Sequence, residues 1–200
     1  MRNLVLLLTV LALPAAAQTA PDLSGVRPDD AARLAALDEA AGRALRQALG
    51  QGDQAQAAAA AAALRGAALP ADAVDPAALS GRWTCRMTKI GGLLPAIDYP
   101  PFACEIGVRD GTVSFEKLTG SQRTRGTLHR DGDRWIYLGS TFVRGETPVD
   151  YQDFPPDIDL QAGETLPDVG VLEVMGADSA RLLMPLPYRE SVLNVLTLSR

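Results

Sequence analysis

The sequence predicts a mainly β protein with an N-terminal helical hairpin, in which about eight antiparallel strands form a barrel or a strongly bent sheet. Three observations predict this fold class. All ten aromatic residues lie at or after Trp83, so only the second part of the chain has bulky side chains to fill a core. The chain up to about Leu79 is rich in alanine. From Gly81 onward, short runs with period-two alternation are separated by turn signals, which is typical of antiparallel strands.

The first 17 residues have the features of a secretory signal peptide. Met1-Arg2-Asn3 gives a positive start, Leu4 to Leu13 is mostly apolar, and Ala15-Ala16-Ala17 is a small-residue cleavage site. A membrane-spanning helix needs about 20 apolar residues, roughly twice the length of this run. We therefore expect cleavage after Ala17 and a soluble mature protein, periplasmic or secreted, with no stable membrane insertion.

Residues 18–28 are predicted to be a linker, and residues 29–66 a helical hairpin arm. The first helix begins at Asp29 and Asp30, which provide a cap and a favourable charge at the helix N-terminus. The second helix begins at Asp53 and passes through the poly-alanine stretch. The apolar stripe of the first helix consists of Leu34, Leu37, Ala41, Leu45 and Ala48. Because such a face buries little area, we expect the arm either to pack on the second region or to bind a partner.

Residues 67–80 are predicted to connect the arm to the β region, with one short helical turn at Asp75-Pro76. Residues 81–200 form the barrel-like domain. Its predicted strands are Trp83–Ile90, Phe102–Val108, Val113–Leu118, Arg123–Arg130, Trp135–Phe142, Val169–Met175, Arg181–Pro185 and Val192–Leu198. Two Asp-Gly pairs, Asp110-Gly111 and Asp131-Gly132, predict two-residue hairpin turns. Consecutive hairpins favour an up-and-down barrel, with a sandwich as the alternative because one sequence does not give the strand order.

Cys85 and Cys104 are predicted to form a structural disulfide. An even number of cysteines in an exported protein favours pairing. Eighteen residues lie between the two cysteines, and closing a loop of this size stabilises a fold by about 3 kcal/mol in the chain-entropy account. Zinc would need more ligands, and His129 is the only histidine. We therefore predict neither a metal site nor a cofactor.

Charge and motifs exclude several functions. Of the 19 basic residues, Arg2 is lost with the signal peptide, which leaves 18 against 24 acidic residues and a net charge of −6. This balance argues against nucleic acid and anionic membrane surfaces as partners. The sequence has no Gly-x-Ser-x-Gly motif, and His129 lies beside a turn with no nucleophile at a recognisable spacing. We therefore expect a protein without a catalytic residue.

The most unusual polar stretch of the chain runs from Thr119 to Gly126. Arg123 and Arg125 are two residues apart on a predicted strand, so they face the same side of it. Together with the hydroxyls of Ser121 and Thr124, they are candidates for an anion or carboxylate site. The alternative is an exposed strand, or arginines that pair with acidic residues of a long loop.

That long loop covers residues 144–167 and is rich in acidic residues. Loops of this length inside a compact domain are often functional. One hypothesis is a lid or partner-contact loop in which Tyr151 and Phe154 make contacts, and the other is a solvated acidic loop. Asp157 and Asp159 lack the glycine and the distal glutamate of a calcium loop, so no metal is assigned to them.

Gly81-Arg82-Trp83 resembles the Gly-x-Trp start of lipocalin-like barrels. The resemblance implies that Trp83 closes one end of a barrel and that an arginine from a late strand, Arg181 or Arg200, stacks over it. A weaker similarity is to small exported metalloprotease inhibitors of the barrel type. Those proteins also begin with a Leu-x-Gly-x-Trp-like strand, here Leu79 to Trp83, and carry one disulfide.

Three blocks of sequence carry a resemblance that extends over nearly the whole chain. They are Gly81–Arg86 with Lys89–Gly92, Thr119–Gly126 with Tyr137–Gly139, and Pro185–Ser191. The chain resembles a bacterial family known as domain of unknown function 4893, which implies an exported protein and supplies no activity. We expect a binding module for a small molecule or cell-envelope component that uses the barrel mouth, Arg123, Arg125 and loop 144–167. The alternative is a protein-partner module or an inhibitor of a secreted hydrolase.

Overall fold

The computed structural model describes residues 25–200, so the predicted signal peptide over residues 1–17 lies outside the described residues. Within this range four α-helices precede the strands and two short 3-10 helices cover Ala71–Ala73 and Tyr151–Asp153. The α-helices are α1 (Pro28–Ala35), α2 (Leu37–Gln51), α3 (Gln54–Ala63) and α4 (Pro76–Leu79). The strands are β1 (Gly81–Ile90), β2 (Ala96–Asp98), β3 (Phe102–Arg109), β4 (Thr112–Lys117), β5 (Gln122–Asp131), β6 (Arg134–Val143), β7 (Leu166–Gly176), β8 (Ser179–Pro185) and β9 (Leu193–Ser199).

The strands form a closed antiparallel barrel. From β3 to β9 each strand pairs with the next, and β9 pairs back with β1 over Thr84–Ile90, which closes the cylinder. β2 and β3 lie on the same side of β1, with β2 opposite its end and β3 opposite its beginning. They therefore act as one interrupted strand of an eight-stranded barrel. This confirms the predicted fold class and excludes the sandwich.

A proline pair causes the interruption between β2 and β3. Pro100 and Pro101 have no N–H to donate to β1, so the ladder cannot continue through them. The backbone N–H of Tyr99 still donates to the carbonyl of Met87 at 2.9 Å, which keeps the segment beside β1. The sequence analysis missed β2 because the strand has only three residues and lies between prolines.

The two Asp-Gly hairpins differ in their turns. At the β3–β4 turn Asp110 and Gly111 both have positive φ (51° and 78°), as the predicted two-residue turn requires. At the β5–β6 turn Asp131 pairs with Arg134, so the loop consists of residues 132 and 133. This turn lies one residue later than predicted, because the glycine supplies the positive φ (58°) at the first loop position.

The N-terminal arm contains three helices on the outer wall of the barrel, whereas the sequence predicted two. The predicted first helix is interrupted at Ala36. α1 contacts β7 and β8, whereas α2 contacts β8, β9 and β1. The break at Ala36 therefore lets the chain follow the curved wall of the barrel. The cap at Asp53 is confirmed: its side chain accepts from the N–H of Gln56 at 2.8 Å, in a complete capping box. None of the helices in residues 25–200 is long and apolar enough to cross a bilayer.

In the arm, α2 and α3 pack on the barrel mainly through alanine, whereas α1 uses the buried Leu34, which clusters with Ile136, Val169 and Val171. In α2 the fully buried side chains are Ala40, Ala44 and Ala48, while the predicted Leu37 and Leu45 are only half-buried. Small side chains let the helices lie close to the sheet, which places the leucines at the edges of the contact. The barrel side of this core consists of Ile90, Ala96, Leu183, Leu193 and Val195.

One end of the barrel is closed by Trp83, as the lipocalin-like resemblance implied. Its indole nitrogen donates to the carbonyl of Leu79 at 2.8 Å, and the guanidinium of Arg200 lies 4.1 Å from the ring centroid. Arg181 has a different structural role, because it pairs with Glu173 at 2.5 Å and donates to the carbonyls that follow α3. The arginine that stacks on Trp83 is therefore Arg200.

The predicted disulfide between Cys85 and Cys104 is present inside the barrel. Both cysteines are completely buried and belong to the main hydrophobic core. The bond joins β1 to β3 at the beginning of the barrel.

Candidate functional site

The interior of the barrel has an apolar half and a polar half. Because side chains alternate along a strand, every second residue points inward. Near the closed end the inward residues form the main core, which includes Trp83, Phe115 and Trp135. At the opposite end, which we call the barrel mouth, the inward positions carry polar side chains. These are Lys89, Lys117, Thr124, Asp168 and Asn194.

Tyr137 separates the two halves and forms the floor of the barrel mouth. Its ring is completely buried and packs edge-on against Phe115, with 5.9 Å between centroids. Its hydroxyl is hydrogen-bonded to Oγ1 of Thr124 at 2.7 Å. A Cβ at position 139 would lie 2.3 Å from this hydroxyl, so Gly139 makes room for the ring. Burial raises the pKa of Tyr137 well above its ordinary value, and the hydroxyl stays protonated.

Lys117 places a buried ammonium in the barrel mouth. The residue is 5% exposed, and its Nζ donates to the carbonyls of Thr119 at 2.9 Å and Gln122 at 2.6 Å. The ammonium lies 3.7 Å from the ring centroid of Phe102, a cation–π contact. Within residues 25–200 Lys117 has no ion pair with a carboxylate. The hydrogen bonds therefore fix the position of the charge but do not neutralise it.

The electrostatics of Lys117 follow from this position. Burial lowers the pKa of Lys117 to about 8, and the nearby charges of Arg123 and Lys89 act in the same direction. At neutral pH the side chain is still a cation. A Cβ at position 120 would lie only 2.7 Å from Nζ, so Gly120 (φ 94°) gives the ammonium its space.

Lys89 is the second lysine of the barrel mouth and differs from Lys117 in having an acidic partner. Its ammonium forms an ion pair with Glu190 and donates to Oε1 of Gln122 at 2.9 Å. Glu190 lies in the segment between β8 and β9 and has a positive φ of 72°. The pair holds this segment beside the barrel mouth and neutralises the charge of Lys89.

Asp168 is a buried carboxylate on the same inner wall. It is 6% exposed, and its Oδ2 accepts a hydrogen bond from Oγ1 of Thr124 at 2.8 Å. Burial raises the pKa of Asp168, while the charge of Arg33 and the hydrogen bond from Thr124 partly offset this effect. In the part of the chain that the structure describes, no basic nitrogen forms an ion pair with it.

These side chains surround a cavity of about 100 Å³. One water occupies roughly 10–15 Å³ of such volume, so the cavity has room for a small organic molecule. Its apolar lining consists of Met87, Tyr99, Phe102 and Met184. A cavity with one apolar side and a few charged groups is suited to a small molecule that carries both a charge and a hydrocarbon part.

A larger recess, of about 1100 Å³, lies elsewhere. It is a groove on the outside of the barrel between α1, residues 68–74 and the β5–β6 turn. The barrel mouth is the stronger candidate site, because it holds a buried lysine and a buried aspartate that have no ion-pair partner among residues 25–200. In residues 25–200 no group of three or more His, Cys, Asp or Glu side chains is placed to hold a metal ion.

The sequence model of one family matches almost the whole described chain. This family is described as a domain of unknown function, DUF4893, and the match covers residues 24–198. The chain belongs to the DUF4893 family. The match includes the helical arm as well as the barrel, so both are parts of the DUF4893 region. No curated protein and no solved structure matches the chain.

In this DUF4893 chain, only some residues of the predicted polar stretch, Thr119 to Gly126, lie at the barrel mouth. Thr124 points inward and binds Asp168, and Ser121 and Arg123 lie at the rim of the cavity. Arg123 donates to the carbonyl of Gly120 at 3.3 Å. Arg125 is exposed, because it alternates with Thr124 and faces away from the interior. The hydroxyl of Thr124, rather than the two arginines, therefore contributes to the inner wall.

Tyr151 and Phe154 do not line the cavity. The hydroxyl of Tyr151 donates to Asp30 at 2.8 Å and accepts from the backbone N–H of Arg27 at 3.1 Å. Arg27 also donates to the carbonyl of Pro156 at 2.8 Å. These contacts hold the long loop against the N-terminus of α1. The loop ends at residue 165, two residues earlier than predicted, because β7 begins at Leu166.

The sequence analysis did not select Lys89, Lys117 or Asp168. A usable signal was present, since the chain has only two lysines and both continue the inward alternation of their strands, after Met87 and Phe115. Asp168 lies between the predicted loop, residues 144–167, and the predicted strand that begins at Val169. Extending that strand by one residue would have included the carboxylate.

Proposed function

We propose that this DUF4893 protein is a non-catalytic binding protein that holds a small organic anion in the barrel mouth. The observation that carries the proposal is the buried ammonium of Lys117, which has no carboxylate partner in residues 25–200 and adjoins a cavity. Removing a charge from water without a counter-charge is costly, and in many proteins such a site is completed by a ligand. The missing counter-charge would come from the ligand.

The lining of the cavity supports a carboxylate with a short hydrocarbon part. Two of the three ammonium protons of Lys117 are used by backbone carbonyls, which leaves one for the ligand. Met87, Phe102 and Met184 offer an apolar surface for the hydrocarbon. The cavity is smaller than the roughly 300–1,000 Å³ typical of sites for drug-sized ligands, which favours a metabolite of few atoms.

Isothermal titration with hexanoate tests this proposal. We expect the wild-type protein to bind hexanoate and the Lys117→Met variant to bind it at least about tenfold more weakly, because the substitution removes a charge-assisted hydrogen bond. Methionine keeps the length and apolar stem of the side chain. A thermal melt of both proteins separates a loss of binding from a loss of fold.

Arg125→Ala is the matched control, since it also removes one positive charge but from the outer face of β5. We expect its hexanoate affinity to equal that of the wild type. Equal affinities of the wild type and Lys117→Met would contradict the proposal. If Arg125→Ala weakens hexanoate binding and Lys117→Met does not, the anion site lies at Arg123 and Arg125, as the sequence suggested.

The contacts of the long loop make the alternative function less favourable. A protein-partner module or inhibitor of a secreted hydrolase depended on residues 144–167 as a projecting contact surface. Tyr151 and Arg27 hold this loop to α1, and the guanidinium of Arg189 donates to the carbonyls of Leu160 and Gly163. A segment with these contacts has fewer groups left to offer a partner.

We also propose that the protein works outside the cytosol. This rests on the signal-peptide features of residues 1–17, and a disulfide between Cys85 and Cys104 is compatible with an oxidising compartment. Cell fractionation followed by mass determination of the mature N-terminus tests it. Cleavage after Ala17 is expected, and a cytosolic protein that retains its first 17 residues would contradict it.

A further inference from the structure

The barrel mouth contains two buried charges of opposite sign that do not neutralise each other. Lys117 and Asp168 line the same cavity. Lys117 donates to two backbone carbonyls, and Asp168 accepts from Thr124. In the described part of the chain neither of them forms an ion pair. The cavity therefore presents the positive groups of Lys117 and, at its rim, Arg123, together with the negative group of Asp168, to whatever occupies it.

Two other charged groups near Asp168, Arg33 and Lys89, have carboxylate partners of their own. Arg33 on α1 is 7% exposed, and its Nη1 pairs with Asp30 at 2.7 Å while its Nε donates to the carbonyl of Pro185 at 3.3 Å. Lys89 forms its ion pair with Glu190. Arg33 stabilises the charge of Asp168 only from a distance, so a cation in direct contact with the carboxylate has to come from a ligand.

A simple anion provides a counter-charge for Lys117 but none for Asp168. At Lys117 it gains a counter-charge, but it also enters a cavity that contains the carboxylate of Asp168. A molecule with both a carboxylate and an ammonium group compensates the two buried charges at once. The apolar lining beside them then accepts an aliphatic part.

We propose that the ligand is a zwitterion of the amino acid type, whose carboxylate binds Lys117 and whose ammonium binds Asp168. This proposal rests on the function proposed above and specifies its ligand. Thr124 contributes by holding the carboxylate of Asp168 in place. Oδ1 of Asn194 accepts from Ser191 at 2.6 Å, which leaves the amide N–H groups of this side chain for the ligand.

Three probes of equal chain length test the proposal by isothermal titration: hexanoate, hexylamine and 2-aminohexanoate. We expect 2-aminohexanoate to bind the wild type at least about tenfold more tightly than hexanoate, because it adds a charge-assisted hydrogen bond. In the isosteric variant Asp168→Asn this advantage should disappear, while hexanoate should bind as tightly as before or more tightly. Asp157→Asn, in the exposed loop, is the control that should change neither affinity.

The outcomes separate this proposal from the one on which it rests. If hexanoate binds as tightly as 2-aminohexanoate, and Asp168→Asn leaves their ratio unchanged, the zwitterion is wrong and the small-anion function stands. If neither acid binds, the proposed function itself is wrong. Tightest binding of hexylamine would overturn both. Should Asp168→Asn fail to fold, the ranking of the three probes on the wild-type protein still decides.

Discussion

The two lysines of this chain both lie at the barrel mouth, and every other basic residue apart from the histidine is an arginine. The chain has 17 arginines and two lysines among its 19 basic residues, and both lysines line the barrel mouth. An arginine stays protonated at any physiological pH, whereas a buried lysine changes its pKa readily. An ammonium is also a compact charge that fits where a planar guanidinium would not. The choice of lysine at Lys117 is thus consistent with a small, charge-sensitive site.

The pKa of Lys117 predicts a pH dependence of binding. Only the ammonium attracts a carboxylate, so hexanoate affinity should be full below about pH 8 and should fall as the pH rises through that value. Between about pH 8 and the ordinary lysine pKa of 10.5 the unfolded chain binds more protons than the folded one, so the free energy of unfolding should rise with pH. Titration calorimetry at pH values on either side of 8 checks the first statement. An affinity that does not change across this range would show that Lys117 does not bind the anion.

The sequence shows Lys117, Thr124 and Asp168 but does not show that they come together around one cavity. Lys117 is the last residue of β4, where an inward side chain cannot be distinguished from one that turns to solvent. Its burial depends on the carbonyls of Thr119 and Gln122, which close over it only after the following turn has formed. Thr124 was selected because of its neighbours Arg123 and Arg125, although it is the hydroxyl that points inward.

At the scale of elements, α1 is attached to the long loop by one buried carboxylate. Asp30 is completely buried and pairs with Arg33 at 2.7 Å and Arg27 at 3.2 Å. It also accepts from the hydroxyl of Tyr151 at 2.8 Å. The beginning of α1 and the long loop, which are distant in sequence, therefore meet at a single side chain.

Replacing this carboxylate should loosen both segments. Asp30→Ala leaves the buried guanidinium of Arg33 without its carboxylate partner, while Arg27 keeps Asp29, and the free energy of unfolding should fall by about 3–5 kcal/mol. Urea denaturation measures the loss, and faster hydrogen exchange in residues 144–165 should accompany it. Asp38→Ala, at an exposed position of α2, is the control and should have little effect. A loss as small as that of the control would mean that the network contributes little to stability.

The elements themselves were largely predictable, and the exceptions have physical reasons. Alternation and Asp-Gly turns gave eight strands near their observed positions, because a strand with one face in a core shows period two. β2 was missed since Pro100 and Pro101 conceal a three-residue strand. The break at Ala36 was missed since the sequence around it favours helix, and only the curvature of the barrel wall requires the change of direction.

At the scale of the whole molecule, the barrel combines a closed, apolar end with an open, polar end. Trp83 and Arg200 belong to the closed end, whereas Lys117 and Asp168 belong to the other. The stability of the fold and the proposed binding therefore depend on different parts of the interior. Substitutions at the closed end should therefore leave ligand affinity largely unchanged, and substitutions at the barrel mouth should leave the free energy of unfolding largely unchanged.

The disulfide lies between the two ends, since Cys104 is directly opposite Lys117 in the β3–β4 pairing, and its contribution to stability can be measured. The double variant Cys85→Ala with Cys104→Ala should lose about 3 kcal/mol of unfolding free energy, since the bond closes a loop of 18 intervening residues. Urea denaturation measures the loss. An unfolding free energy equal to that of the wild type would contradict this prediction.

Nuclear magnetic resonance of lysine side chains tests the central claim most directly, because the chain contains only two lysines. Protein grown with isotopically labelled lysine should give two side-chain signals, which Lys89→Met and Lys117→Met assign. We predict that the Lys117 signal titrates near pH 8 in the free protein, and that hexanoate or 2-aminohexanoate shifts this signal and raises its pKa. A Lys117 signal whose position and pKa stay the same at saturating concentrations of both probes would contradict a carboxylate site in the barrel mouth.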